Sequence, residues 1–229
     1  MQLVLSHFVF SELVNTVMRT RDGLETGVKL FGTVLDEDCD VSASRAFVVL
    51  AIVGPGQNAT HQPAHYAGDA GYASEIFAAL GSVMPSIKWL GELHVHPRGM
   101  TWLSAGDRRT VADILTGSDD TVHPTEFIAG VMQRDSGTVT IYPYHFAREC
   151  LKGELMPVRL VEQNAPLIHQ ARLRAIEKGI NNDRSSICPQ PSGSRTAEGE
   201  TFIHRRLRQW RQRLGAYGRT LWHRQADTH

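Results

Sequence analysis

Residues 86–107 read SIKWLGELHVHPRGMTWLSAGD, and this stretch decides the fold. Its first half is an apolar run that suits a strand over 86–96, and Pro97 ends it because proline cannot donate to a ladder. On a strand, residues two apart face the same way, so His94 and His96 present two imidazoles to one side. Ser104 then opens a helix running to about 115. Asp107 falls on the first turn of that helix, where the macrodipole favours a carboxylate. A strand, a short loop and a helix N-terminus thus converge on one point.

Working outward, residues 2–10 read as a strand, and Ser11 as the N-cap of a helix over 12–20 with Leu13, Val14, Val17 and Met18 on one face. Residues 26–35 and 45–53 read as strands, the second the more buried. Gly54-Pro55-Gly56 closes that strand, 57–70 reads as a loop, and a helix follows over 71–81. Beyond Asp107, residues 126–133 and 137–146 form a hairpin turning near Asp135-Ser136-Gly137. The order is β α β β α β α β β. Without a Gly-rich phosphate loop after the first strand, a dinucleotide-binding fold is excluded. The expected class is α+β or mixed α/β, a mixed sheet flanked by helices with a C-terminal helical extension.

The 229 residues balance 24 Lys and Arg against 24 Asp and Glu, but not evenly along the chain. Residues 1–150 carry 10 basic against 17 acidic side chains, and residues 151–229 carry 14 against 7. An acidic body precedes a basic tail. The domains expected are therefore 1–150 as the main body, 151–180 as a helical extension, 181–200 as a Pro/Ser/Gly-rich linker, and 201–229 as a basic amphipathic helix. Three cysteines, Cys39, Cys150 and Cys188, with no C-x-x-C spacing, exclude a disulfide framework and a cysteine-rich zinc site. The apolar N-terminus lacks a basic n-region and is interrupted by Glu12, so it reads as part of the fold rather than a signal peptide. No run of about 18 apolar residues is present. Those features point to a cytoplasmic protein.

Two neutral imidazoles and a carboxylate form a donor set suited to a catalytic zinc ion with one position open. Such chemistry needs a group to take and return a proton, and carboxylates do this well. Glu25, just before a strand and beside Thr26-Gly27, is the candidate; Glu92, on the same strand face as the histidines, and Glu12 are its rivals. Ser104 is placed to donate a hydrogen bond to an oxyanion. Each piece has a plainer reading. Ser104-x-x-Asp107 is by itself a capping box, and paired histidines on a strand are commonly structural. The conjunction of all of them at these offsets is the informative feature. His61 and His65 are spaced i, i+4, but Pro63 between them argues for a loop and against a metal site. His123 and His145 read as structural or exposed. Trp102 and Leu103 suit either a substrate groove or the core.

At these residues the chain resembles the JAMM (MPN/JAB) metallopeptidase family. The likeness rests on His94-Val95-His96-Pro97, on Ser104 and Asp107 ten and thirteen positions after His94, on Trp89-Leu90-Gly91 before the histidines, and on Glu25-Thr26-Gly27 with Gly32 downstream. It covers about residues 1–150, and its compact form is similar to stand-alone bacterial members that are deubiquitinase-like. The resemblance implies one Zn2+ held by His94, His96 and Asp107, Glu25 as general base and acid, and Ser104 as oxyanion helper. It further implies hydrolysis after the C-terminal glycine of a ubiquitin-like protein, with that protein's activating or conjugating enzymes as further partners. Release of an amino acid from a sulfur-carrier protein is the alternative within the class. A non-catalytic MPN-type interaction scaffold is the alternative outside it, against which stand the three filled ligand positions.

The tail lies outside the resemblance. Six arginines of 201–222 accompany an apolar stripe that includes Leu207, Trp210 and Leu214. That pattern suits a helix docked on the body or one grasping an acidic protein surface, with nucleic acid or an anionic membrane as lesser options.

Overall fold

A computed structural model of the chain describes residues 1–37, 44–96, 100–117 and 124–177. Ten strands and four helices occur among them: β1 (Gln2–Ser6), α1 (His7–Met18), β2 (Gly27–Leu35), β3 (Ala46–Val53), β4 (Thr60–Gln62), β5 (His65–Ala67), α2 (Ala70–Val83), β6 (Lys88–Val95), α3 (Ala105–Thr116), β7 (Glu126–Asp135), β8 (Thr138–Ala147), β9 (Cys150–Leu155), β10 (Val158–Val161) and α4 (Pro166–Ile176). Eight strands form one mixed sheet in the order β10-β1-β3-β2-β6-β7-β8-β9, and β4 and β5 pair as a separate hairpin. The class is mixed α+β, as expected from the element pattern. No helix among the described residues is long and apolar enough to cross a membrane.

Strand alternation distributes the helices between the two faces of the sheet. Leu3, Leu5, Leu30, Phe47, Val49 and Ile128 pack with Val9, Leu13 and Val17 of α1. Their strand neighbours Val4, Leu35, Ala46 and Val48 pack with Leu167, Ile168 and Ala171 of α4. On α3, Val111 and Leu115 cover Phe127, Ala129 and Val131 of β7. The α1 residues recur at i, i+4 and i+8, the spacing of one helical face. Each such side chain, once buried, contributes about 1.5–3 kcal/mol.

Bulges bend the sheet around α1. The β2–β6 register slips between Leu30 and Phe31, and the β2–β3 register between Phe31 and Gly32. Bulges sharpen local twist and bend the strand that carries them. Gly91, with φ +154°, sits where a Cβ would overlap the Ile128 carbonyl, so no side chain fits there. The curl that results brings the Phe47 ring of β3 within 5.2 Å of the His145 ring of β8, although three strands lie between β3 and β8 in the sheet order.

Several boundaries differ from the sequence reading. The N-cap of α1 is Ser6, whose side chain accepts from the Val9 amide; the Ser11 hydroxyl instead donates to the His7 carbonyl. The run HFVF suits a strand or a helix, and only tertiary burial of Val9 and Leu13 decides between them. The segment 57–70 holds the β4–β5 hairpin. The body does not end at 150, and 151–180 is not a helical extension throughout. β9 extends one edge of the sheet beside β8, β10 runs parallel to β1, and the helix of this stretch starts only at Pro166. Both strands lie at sheet edges and bury little: β9 is mostly exposed, and in β10 only Val161 is buried. The linker over 181–200 and the basic helix over 201–229 lie outside the described residues, as does His123.

Candidate metal centre

Three elements deliver the donor atoms. The end of β6 carries His94, His96 follows it directly, and the first turn of α3 carries Asp107. The Asp107 carboxylate reaches His94 Nε2 at 3.4 Å through Oδ1 and His96 Nε2 at 3.2 Å through Oδ2. The two Nε2 atoms stand 2.6 Å apart. One donor atom from each residue lies within 4.8 Å of the others, a group able to hold a metal ion. Ligand atoms of a tetrahedral zinc, with bonds of about 2.0–2.2 Å, sit roughly 3.3 Å apart. Both histidine–aspartate spacings fit that value, and the histidine pair is tighter.

Asp107 is fixed before any ion arrives. Ser104 and Asp107 form a reciprocal capping box: the Ser104 amide donates to Asp107 Oδ2 at 2.7 Å, and the Asp107 amide donates to Ser104 Oγ at 3.2 Å. Burial pushes the Asp107 carboxyl up, but hydrogen bonds and charge from His94 and His96, with a further hydrogen bond from Ser104, outweigh it. The carboxyl is held well below the usual carboxylate range. It is therefore anionic at any ordinary pH, as a ligand must be. His96 is only 6% exposed, and its Nδ1 has no hydrogen-bond partner among the described residues.

Glu25 lies just before β2. Gly27 pairs with His94 across the β2–β6 ladder, and the Val95 amide donates to the Thr26 carbonyl at 2.7 Å. Continuing that antiparallel register sets Glu25 beside His96 on the shared face. Burial raises the Glu25 pKa, the histidines 94 and 96 draw it back, Asp107 raises it, and His65 lowers it; the net shift is upward. The carboxylate thus belongs electrostatically to the histidine–aspartate group. The rival carboxylates are engaged elsewhere. Glu92 is ion-paired with Lys29, whose ammonium also lies over the Trp89 ring at 5.1 Å. Glu12 is exposed on α1.

The connection from α1 to β2 is tied down from two sides. The Arg134 guanidinium donates to the carbonyls of Val17, Thr20 and Arg21 and pairs with Asp22. The β4–β5 hairpin holds the Glu25 end. The Glu25 amide donates to the Gln62 carbonyl at 2.9 Å, His61 Nδ1 donates to the Glu25 carbonyl at 2.9 Å, and the Tyr66 hydroxyl donates to the Gly27 carbonyl at 3.2 Å. Gly27 has to be glycine because a Cβ would meet the Tyr66 ring at 2.5 Å. The sequence reading missed His61 and Tyr66 in this role. The signal available was the pair of short segments THQ and HYA about Pro63-Ala64, a two-residue turn rather than an open loop.

Trp102 and Leu103 part company. Leu103 is buried under α3, and the Tyr144 hydroxyl donates to the Thr101 carbonyl, so Trp102 between them projects outward, 53% exposed. His145 is structural: it is 7% exposed, and its Nε2 lies 3.2 Å from Glu126.

No family model matches the chain, and no curated protein matches it. Among solved structures it is similar to the solution structure of protein DSY2949 from Desulfitobacterium hafniense, with 15% identity and a TM-score of 0.48. That alignment covers 70% of this chain and 94% of the other. A likeness of that size carries no functional argument.

Proposed function

We propose that the chain is a zinc-dependent peptidase or isopeptidase of the JAMM type, acting after the C-terminal glycine of a ubiquitin-like protein. One observation carries the reading: His94, His96 and Asp107 bring three donor atoms within 4.8 Å of one another, and Glu25 and Ser104 stand beside them. A structural histidine–aspartate cluster, capped by Ser104, would not need Glu25.

His94, His96 and Asp107 would hold the ion. When bound, zinc makes water acidic near neutral pH and polarises a carbonyl. Glu25 takes the proton from the attacking water and passes it to the leaving amine, and burial moves its pKa upward, the direction that favours a group taking up a proton. The Ser104 hydroxyl accepts from the Asp107 amide, which leaves its own hydrogen free to donate to the developing oxyanion. Exposed Trp102, two residues away, is placed to meet the substrate chain.

Elemental analysis tests the metal first. The wild type is expected to hold close to one zinc per chain, and His94→Ala with His96→Ala to hold none while remaining folded. Hydrolysis of a ubiquitin-like protein fused through its terminal glycine tests the chemistry. Turnover by the wild type and its absence in Glu25→Ala would support the reading. A zinc-loaded wild type that cleaves no such fusion would overturn the assigned substrate.

A further inference from the structure

Two of the hydrogen bonds that hold the Glu25 backbone come from a hairpin that contributes nothing to the metal ligands. β4 and β5 form a two-stranded unit, and such a unit is marginal in water on its own. It is anchored instead by its neighbours. At its far end the Asp69 carboxylate caps α2 through the Tyr72 amide and accepts from both the amide and side chain of Asn58. At its near end His61 and Tyr66 are cross-strand partners with rings 5.7 Å apart, and both point their polar atoms at the start of β2. Gln62 supplies the third contact through its carbonyl. The peptide units on both sides of Glu25 are thus gripped, and Gly27 is bare so that the Tyr66 ring can lie against it.

We propose that the β4–β5 hairpin is the seat of Glu25, with His61 and Tyr66 as positioning residues that keep its carboxylate over the His94, His96 and Asp107 group. This rests on the proposed function for the meaning of the position, and on the hydrogen bonds alone for the position itself. Because His61 donates from Nδ1, its neutral ring has the proton on that nitrogen, and an asparagine amide at 61 can imitate it. A general base is sensitive to displacements of about an ångström, since transfer requires hydrogen-bond reach. Neither His61 nor Tyr66 supplies a ligand, so their loss should spare the metal.

The test uses the full-length, zinc-loaded chain and its His61→Ala, His61→Asn and Tyr66→Phe variants. Hydrogen exchange at the amides of residues 24–27 reads the seat without activity. His61→Ala is expected to speed it about tenfold with zinc content unchanged, and His61→Asn to restore it. On the glycine-fused ubiquitin-like substrate, His61→Ala is expected to lower kcat about tenfold and leave KM within about twofold, as for a group that acts only in the transition state. Tyr66→Phe, which keeps the ring, is expected to show a smaller change in the same direction and stands in if His61→Ala does not fold. Wild-type exchange and turnover in both variants would overturn the seat. So would loss of zinc, or a rise in KM with kcat intact, because the hairpin would then serve the metal or the substrate instead. If the wild type cleaves nothing, the peptidase reading fails and the exchange measurement alone decides whether the hairpin holds residue 25.

Discussion

The curled sheet carries a histidine–carboxylate group toward each end, and the two differ in what completes them. At the start of β7, Glu126 accepts from His145 and from Arg45, which also pairs with Asp36 and lies over the Phe47 ring. At the end of β6, Asp107 faces His94 and His96, with no lysine or arginine among its partners in the described residues. The strands β6 and β7 are parallel, with His94 beside Val131, so the groups are about five residues, roughly 16 Å, apart along the ladder. In the first, the protein has built in its own cation. In the second, two imidazole nitrogens and a carboxylate converge with no such side chain among the described residues, and Nδ1 of His96 has no partner among them either. A cluster that carries its own cation serves the fold, while the second, with three donor atoms within 4.8 Å of one another, is a group able to hold a metal ion.

The sharpest way to break this contrast is to disable each group in turn. Dialysis against a chelator, or His94→Ala with His96→Ala, is expected to abolish zinc content and hydrolysis entirely, read by elemental analysis and cleavage of the fusion substrate. Glu25→Gln comes next. It should retain zinc and lose about 10²–10⁴-fold in kcat. At the other end, Glu126→Gln should leave zinc and kcat unaltered and cost roughly 1–3 kcal/mol in urea unfolding, because Arg45 loses the more buried of its two charged acceptors.

Acid sharpens the same point. The hydrogen bond from His145 holds Glu126 down; burial opposes it, and Arg45 adds to it, leaving a pKa of about 2 against an ordinary 4.5. Stability from this group is therefore fully present above pH 4.5 and is lost as the pH falls toward 2. The wild type should weaken across that window more than Glu126→Gln does, measured as unfolding midpoints at fixed ionic strength. The smallest effect is expected at Trp102. Trp102 is 53% exposed, so Trp102→Ala should change stability by less than about 0.5 kcal/mol, yet raise KM for the fusion substrate.

The legible parts of the molecule were those where local chemistry and tertiary demand agree. His94, His96 and Asp107 could be brought together on paper because strand alternation and a helix N-terminus fix directions without reference to the rest of the chain. Gly32 and Gly91 entered the sequence reading only as parts of a motif, and only the paired strands show why a side chain is excluded there. The start of α1 was misplaced because Phe8-Val9-Phe10 is apolar at every position and carries no period. β9 and β10 were read as part of a helical extension because edge strands bury little and so show little alternation. The hairpin at 60–67 escaped because its strands are three residues long, and because its stabilising contacts are to Glu25 and Gly27, some forty positions upstream.

The capping box gives residue 107 two occupations that one atom can separate. Asparagine there would keep an oxygen for the Ser104 amide and so preserve the opening turn of α3, while surrendering the negative charge; alanine would give up both. A descendant of this chain that abandoned its chemistry but kept its shape as a binding platform would thus be expected to carry asparagine or serine at this position. The manner in which the aspartate is lost would distinguish a protein that has been repurposed from one that is decaying.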